Sequence, residues 1–291
     1  MPATLRPDLW SHPIRTQAEK AADFAALHAA PGAFVAPNPW DPGSARILAG
    51  LGFKALTTSS SGYARSIGVT DHKAGRDHVM AHIRAMAAAV DLPISGDLEN
   101  GFGRDPETVA ETIRRGAAAG LVGGSIEDAT GDEDDPIFEI ALAADRIRAG
   151  SDAARRLPFR FMLTGRTDNY LHGRSDLADV ILRLQAYQEA GADVLLATGL
   201  PTVEAIRSIV ASVDRPVHVL IGPRDRLLSV ADLAEIGVKR ISIGGALASA
   251  AYSGLIRAAR ELADGTLDWT RAVIPGREIE ALLGRGAGGA D

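Results

Sequence analysis

The chain has no cysteine, which in one step excludes disulfides, thiolate metal sites and a cysteine nucleophile. Aromatic residues are scarce as well, 5% against a hydrophobic total of 46%. Any core must therefore be built largely from Ala, Val, Ile and Leu, the composition of parallel strands covered by helices. There is no excess of positive charge: 31 Lys and Arg face 37 Asp and Glu, a net charge of -6, and no basic stripe offers a footprint for nucleic acid. No apolar run reaches the roughly 20 residues of a membrane span. Met1 to Gln17 carries Pro, Asp, His and Trp where a signal peptide needs an unbroken apolar stretch. No linker, low-complexity tract or charge block divides the 291 residues, so one domain spanning 1–291 is expected. These absences point to a cytoplasmic enzyme of small molecules, without nucleic-acid or membrane partners.

What is present is a repeated unit: a short apolar run, a Gly/Asp/Ser-rich loop, an Ala/Leu/Arg-rich helix, and often a glycine before the next run. Strands are expected at 33–36, 55–58, 94–97, 124–127, 161–164, 194–197, 217–221 and 240–243. The intervening helices are expected at 44–49, 78–90, 106–119, 137–154, 176–190, 203–212 and 231–236. An alternation of this length closes most economically as a (β/α)8 TIM barrel. Residues 16–30 read as an amphipathic helix ahead of the barrel, and 246–262 completes the eighth unit. A further helix at 270–283 could pack on a neighbouring subunit, and the Gly-rich tail 284–291 is expected to be disordered.

In such a barrel the loops after the strands form the active face, and acids and donors gather there. The third strand delivers Asp97 and Glu99, one residue apart. In an extended backbone they share a face, where like charges favour a bound cation or a raised pKa. Hard oxygen ligands of this kind suit Mg2+, although a turn cap and a solvated glutamate would look the same in sequence. The first strand exits into Trp40 and Asp41, the second into Ser59, Ser60 and Ser61 with Asp71 beyond, the fourth into Glu127 and Asp128, and the fifth into Arg166, Asp168 and Asn169. Asp41, before Pro-Gly, reads as a turn residue. The serines could cap a helix or offer backbone N–H groups to an anion, and Asp128 reads as structural. Arg166 is expected to meet a substrate carboxylate rather than an internal ion pair. The histidines form no metal-spaced pair; His78 and His82 read as a solvated helix flank, and His218 as pocket-lining.

Six segments taken in order, Pro37-Asn-Pro-Trp-Asp41, Thr57-Thr-Ser-Ser-Ser-Gly62, Asp97-Leu-Glu-Asn-Gly101, Gly124-Ser-Ile-Glu-Asp128, Leu163-Thr-Gly-Arg166 and Gly191-Ala-Asp193, resemble the isocitrate lyase/phosphoenolpyruvate mutase superfamily. The resemblance implies a (β/α)8 barrel with its C-terminal barrel helix swapped between subunits, a homo-oligomer (dimer or tetramer), one Mg2+ and an enolate intermediate. It implies that Asp97 ligates Mg2+ directly while Glu99 and Glu127 hold it through water. Arg166, Asp71 and Glu127 then surround the reacting atoms, Ser59 with the backbone of Ser60 and Ser61 grips the substrate carboxylate, and Trp40, Thr57, Thr198 and His218 line the substrate.

The departures narrow the chemistry. Isocitrate and methylisocitrate lyases carry a Lys-Lys-Cys-Gly-His loop after strand four; here the segment is Ala129-Thr-Gly-Asp-Glu-Asp-Asp-Pro136. Thr57 stands where the mutases have a tryptophan and the methylisocitrate lyases a tyrosine, and Thr198 where mutases have a histidine. A phosphoryl group would meet Asp132, Glu133, Asp134 and Asp135. The expectation is a Mg2+-dependent carbon-carbon lyase or decarboxylase acting on a small 2-hydroxy or 2-oxo di- or tricarboxylic acid. Its alternatives are a phosphonomutase or phosphonopyruvate hydrolase, and a non-catalytic carboxylate binder. Tyr63, His218 and a metal-bound water are the candidate proton carriers.

Overall fold

The computed structural model describes residues 15–222 and 228–287. Residues 1–14, most of the stretch weighed against a signal peptide, and the end of the Gly-rich tail lie outside them. In chain order the elements are α1 (Gln17–Ala29), β1 (Phe34–Val35), α2 (Pro42–Gly50), β2 (Leu56–Thr57), α3 (Ser60–Ser66), α4 (Arg76–Ala89), β3 (Ile94–Asp97) and α5 (Pro106–Ala118). They continue with β4 (Gly123–Glu127), α6 (Ile140–Arg155), β5 (Met162–Thr167), α7 (Leu177–Glu189), β6 (Val194–Ala197), α8 (Val203–Ser212), β7 (Val217–Leu220), α9 (Val230–Ile236), β8 (Arg240–Ser242), α10 (Ala246–Ala263) and α11 (Gly276–Gly286). All eight expected strands are present.

Every strand pairing is parallel, and the order runs from β1 through β8 and back down to β2. The Thr57 N–H donates to the Pro37 carbonyl at 3.0 Å and brings the two edges together. Asn38, buried, adds a second stitch: its Nδ2 donates to the Thr58 carbonyl and its Oδ1 accepts the Ile243 N–H, both at 2.9 Å. Helix starts follow local chemistry. Asp41 caps α2 ahead of Pro42, as its turn reading implied, while Thr202 and Ser229 cap α8 and α9. Gly191 and Gly237, at φ 101° and 99°, turn the chain from helix to strand in a region that side chains avoid.

The main core lies between the strands and their helices, and a second cluster closes the N-terminal end of the barrel. There α1 presses Phe24 inward, edge-on to Phe34 and His28 with ring centroids 6.2 and 4.7 Å away. Asp193 ties β5 to β6, its carboxylate accepting the Leu163 N–H at 2.9 Å and its own N–H donating to the Leu163 carbonyl.

The structure departs from the sequence reading in five places. Helix α3 stands where no helix was counted, and Ser59 fills the cap role that was one of the two readings of the serines. Helix α6 begins at Ile140 rather than 137, because Thr130 and Phe138 bond across the loop to Pro136 and Asp128. The expected helix 270–283 is broken at Pro275 into a short 3-10 turn, Asp268–Ala272, and α11. That last helix packs on α2 of its own chain, where Gly50 and Gly286 let the two backbones touch closer than any Cβ would allow. It also continues through Gly286, so 284–286, expected to be disordered, are helical.

His28 is buried, its Nδ1–H given to the Phe24 carbonyl at 2.8 Å. Burial, with Arg240 nearby, lowers its pKa from 6.5 to about 3. The unfolded chain therefore takes up a proton near pH 6.5 that the folded chain refuses until about 3. Stability is lost as pH falls through that window, by at most about 1.4 kcal/mol per pH unit. Urea midpoints of the native chain and His28→Phe should diverge between pH 7 and 4, with the native chain falling faster; parallel curves would refute this.

Candidate active site

Asp97 ends β3 with its Oδ2 accepting the Ser60 N–H at 3.0 Å, while its own N–H donates to Thr58 Oγ1 at 2.8 Å. Glu99 does not share a strand face with it. The strand stops at Asp97, Glu99 takes φ 51°, and Gly101 N–H closes a turn on the Leu98 carbonyl. The two acids therefore meet through a turn rather than through strand alternation. Arg146, buried over the Phe138 ring, donates to the carbonyls of Asn100, Gly103 and Arg104 and holds that turn.

Glu127 is the hub. It is buried at the end of β4, with Oε2 3.1 Å from Arg166 Nη1, and the same Nη1 lies 3.6 Å from Asp97 Oδ1. Burial pushes the Glu127 carboxyl well up, with Arg166 pulling the other way. Arg166 is not free for substrate alone, contrary to the sequence reading. Its Nε and Nη2 donate to Asp168 Oδ1 and Oδ2 at 2.7 and 2.9 Å, a bidentate internal ion pair. Burial works against its charge, but Asp168, Glu127 and Asp97 overcome that and raise its pKa. Residues 166 and 168 lie on one side of an extended chain, a spacing that could have revealed the pair.

Asp168 is fixed in turn. Thr198 donates its hydroxyl to Asp168 Oδ1 at 2.5 Å, and the Asp168 N–H donates to Asp128 Oδ1 at 2.9 Å. Asp128 Oδ2 accepts from Tyr187 at 2.6 Å and from Arg183 at 3.2 Å, so the structural reading of Asp128 holds.

Several expected site residues sit elsewhere. Asp71 is exposed and caps the N–H of His72. It is His72, given no site role in the sequence reading, that reaches the acids, with Nδ1 3.4 Å from Glu99 and 3.7 Å from Glu127. The hydrogen bond to Glu99 raises its pKa to about 9 against the opposing effect of burial. His218 lies inside the barrel between Arg240 and Ser242, each 2.7 Å away, and burial drives its pKa well down. Tyr63 gives its hydroxyl to the His78 carbonyl and stacks on His82, which is buried rather than solvated. Neither residue is placed as a proton carrier. Thr198 serves Asp168 rather than open space. Ser59 caps α3, accepting the Gly62 N–H at 3.1 Å, and its Oγ lies 3.2 Å from that of Ser61. Trp40 is half-buried beside Gly62, and the Thr57 hydroxyl is buried without a partner.

The donor set fits Mg2+. Asp97, Glu99 and Glu127 offer only hard oxygens, and Glu127 Oε1 is buried with no hydrogen-bond partner. Four carboxyl groups, Asp168 included, crowd around Arg166 and His72, an excess of acid that a divalent ion would offset. Among the described residues no group of three or more His, Asp or Glu side chains is placed to hold a metal ion by itself. An ion that keeps several waters does not need such a group.

A family model of phosphoenolpyruvate phosphomutase matches residues 24–263. The chain is 55% identical to a Burkholderia cenocepacia J2315 protein provisionally assigned as a lyase/mutase, whose crystal structure matches with a TM-score of 0.88 over 91% of this chain and 95% of that one. It is 30% identical over 209 residues to the oxaloacetate decarboxylase of Rhodopseudomonas palustris (strain BisA53), covering 70% of each. It is 25% identical to an oxaloacetate acetylhydrolase solved with its product oxalate, with a TM-score of 0.82 over 93% of this chain and 98% of that one. Model match, relatives and barrel agree: the chain belongs to the phosphoenolpyruvate phosphomutase family of the isocitrate lyase/PEP mutase superfamily.

Proposed function

We propose that the protein is a Mg2+-dependent carbon-carbon lyase or decarboxylase that acts on a small 2-hydroxy or 2-oxo di- or tricarboxylic acid through a pyruvate-type enolate. The observation that carries this reading is the sharing of one guanidinium nitrogen, Arg166 Nη1, by Asp97 and Glu127 beside a buried Glu127 oxygen that, among the described residues, accepts no hydrogen bond and has only His72 Nδ1 at 3.7 Å. The decarboxylase and the acetylhydrolase among the relatives, both named for oxaloacetate, support the substrate class.

Asp97 would be the direct ligand of the ion, with Glu99 and Glu127 holding it through water. Bound there, Mg2+ supplies a Lewis acid that draws off charge from the 2-oxygen of the substrate. The chain's own part is to keep a permanent cation beside that charge. Arg166, clamped by Asp168, cannot turn away or lose its proton as the enolate forms. The bond from the enolate carbon to the departing group breaks, its electron pair enters the enolate, and a proton returns to that carbon. Tyr63 and His218 being committed elsewhere, water is the remaining carrier of the three.

The assembly belongs to the same proposal. Helix α10 carries Leu255 and Ile256 at 61% and 48% exposure, and a second copy of the chain would cover them in a cytoplasmic homodimer or homotetramer. Among the described residues no helix is long and apolar enough to cross a membrane.

Purified protein with Mg2+ should release pyruvate or a close relative from at least one member of a panel of 2-oxo and 2-hydroxy acids, and chelation should abolish the release. Turnover of phosphonopyruvate alone, followed by phosphorus NMR, would establish the mutase or hydrolase alternative instead. Mg2+ should raise the melting temperature of the native chain and leave that of Asp97→Ala unchanged; an equal rise in both would remove Asp97 from the metal site. Arg166→Lys, which cannot serve Asp168, Glu127 and Asp97 together, should lower kcat/KM by about 100-fold. Asp168→Asn should lower unfolding free energy by about 3–5 kcal/mol because it strands a buried guanidinium, whereas Thr198→Val should cost less. Wild-type denaturation midpoints in Asp168→Asn would contradict the clamp.

A further inference from the structure

A cavity of about 530 Å3 opens from the acid cluster toward solvent, with Glu99 and His72 at its inner end. Its outer wall carries Lys73 and Arg76 from the β2–α4 segment, opposite Thr130 of the β4–α6 loop. Among the described residues neither cation is in an ion pair. Arg76 has one long hydrogen bond, 3.5 Å to the Thr112 hydroxyl, and its neighbour Asp77 is committed to Arg115 at 2.5 Å. Two cations, beside an Asp77 that also lines the cavity but is paired to Arg115, thus face a cavity that meets the acid cluster at Glu99 and at His72, which lies 3.7 Å from Glu127.

The acidic loop does not oppose them. From 129–136 only Thr130 and Gly131 line the cavity. The Thr130 hydroxyl donates to the Asp135 carbonyl at 2.6 Å and accepts the Asp132 N–H at 2.9 Å, folding the loop into a turn. Its carboxylates are spent or turned outward: Asp132 accepts the Asp134 N–H, Asp135 lies 3.7 Å from Arg174, and all four acids are exposed. The loop acids, which the sequence reading set against a phosphoryl group, do not line this cavity.

We infer that Lys73 and Arg76 form the subsite for a second, distal carboxylate of the substrate, and that this carboxylate stays on the departing fragment. The inference rests on the lyase reading above and chooses within it. A carboxylate that leaves as CO2 must shed its charge in the transition state, so two cations gripping it would stabilise the ground state more and slow the reaction. A carboxylate that stays ionised on the second product is held equally before and after the bond breaks. The pair therefore selects cleavage into two carboxylic acids over loss of CO2. In that cleavage a hydroxyl on one carbon of the breaking bond gives up its proton and becomes the carbonyl of that fragment, the electron pair of the broken carbon-carbon bond passes to the other fragment as the enolate, a proton then quenches the enolate, and no oxidant or reductant is needed.

Calorimetry on the Mg2+-loaded protein with two unreactive-length probes separates this subsite from the reacting centre. Native protein should bind 2-oxoglutarate about 10- to 100-fold more tightly than 2-oxobutyrate, which has the same oxo-acid head and no second carboxylate. Lys73→Ala and Arg76→Ala should each erase most of that preference while leaving oxalate, which fills only the inner end, unchanged; Arg76→Lys should restore part of it. Equal binding of the two probes by native protein, or an unchanged preference in both variants, overturns the subsite. With a turned-over acid from the panel, KM should rise in the variants with kcat within about threefold, and two carboxylic acid products should outweigh CO2. CO2 as the main product overturns the choice of cleavage. Absence of any turnover overturns the lyase reading alone, since the probe affinities still report on Lys73 and Arg76.

Discussion

A guanidinium cannot be neutralised by giving up its proton, so burying Arg166 obliges the fold to surround it with negative charge. Asp168 meets two of its nitrogens in the fork geometry, and the third is left to Glu127 and Asp97. The obligation then passes outward. Asp168 is buried and needs Thr198 and the link to Asp128, Asp128 needs Tyr187 and Arg183, and Arg183 reaches Asp179 at 2.8 Å on its own helix. One chain of charge thereby locks β4, β5, β6 and α7 to one another. Desolvating so many ions is costly, and breaking any link leaves a buried charge without its partner. What the fold obtains is a cation already in place beside the acids, with no reorganisation needed when charge develops there.

The architecture was legible because the repeat is local. Strand and helix periods, glycines before strands and capping residues such as Asp41 are all written within a few neighbouring positions. The acids at strand exits were legible for the same reason, since barrel topology sends every such exit to one face. The partner of Arg166 was legible in principle, two residues away on the same side of the chain, but a lone arginine near an apolar run was weighed against an imagined ligand instead.

The rest depended on tertiary geometry. Gly101 marks a turn near Glu99, but that Glu99 itself leaves the strand at a positive φ depends also on Arg146, forty-odd positions later in the chain, reaching back to the carbonyls. Nothing near Asp71 says that the next residue is the one that reaches the acids. His218 looked like a pocket residue because strand alternation places it inside the barrel. Inside is not the mouth, however, and Arg240 and Ser242 close over it from the neighbouring strand. Helix α11 returned to its own α2 because Gly50 and Gly286 permit backbone contact, a complementarity invisible in either segment alone.

A chain of net charge -6 that handles an anionic acid needs local positive potential at the right depth. The four exposed acids of 132–135 act through water and salt, which weakens their repulsion. Lys73 and Arg76 line the cleft itself, and a charge close to a bound ligand outweighs one farther off. Thr130 connects the two arrangements: by folding the acids into a turn, it lets one loop be acidic outside and neutral where it meets the cavity. The site is thus graded along its length, from metal-fitting oxygens on strand ends and the turn at Glu99 to cations at the start of α4 and the segment before it. That gradient would orient a diacid with its reacting end inward.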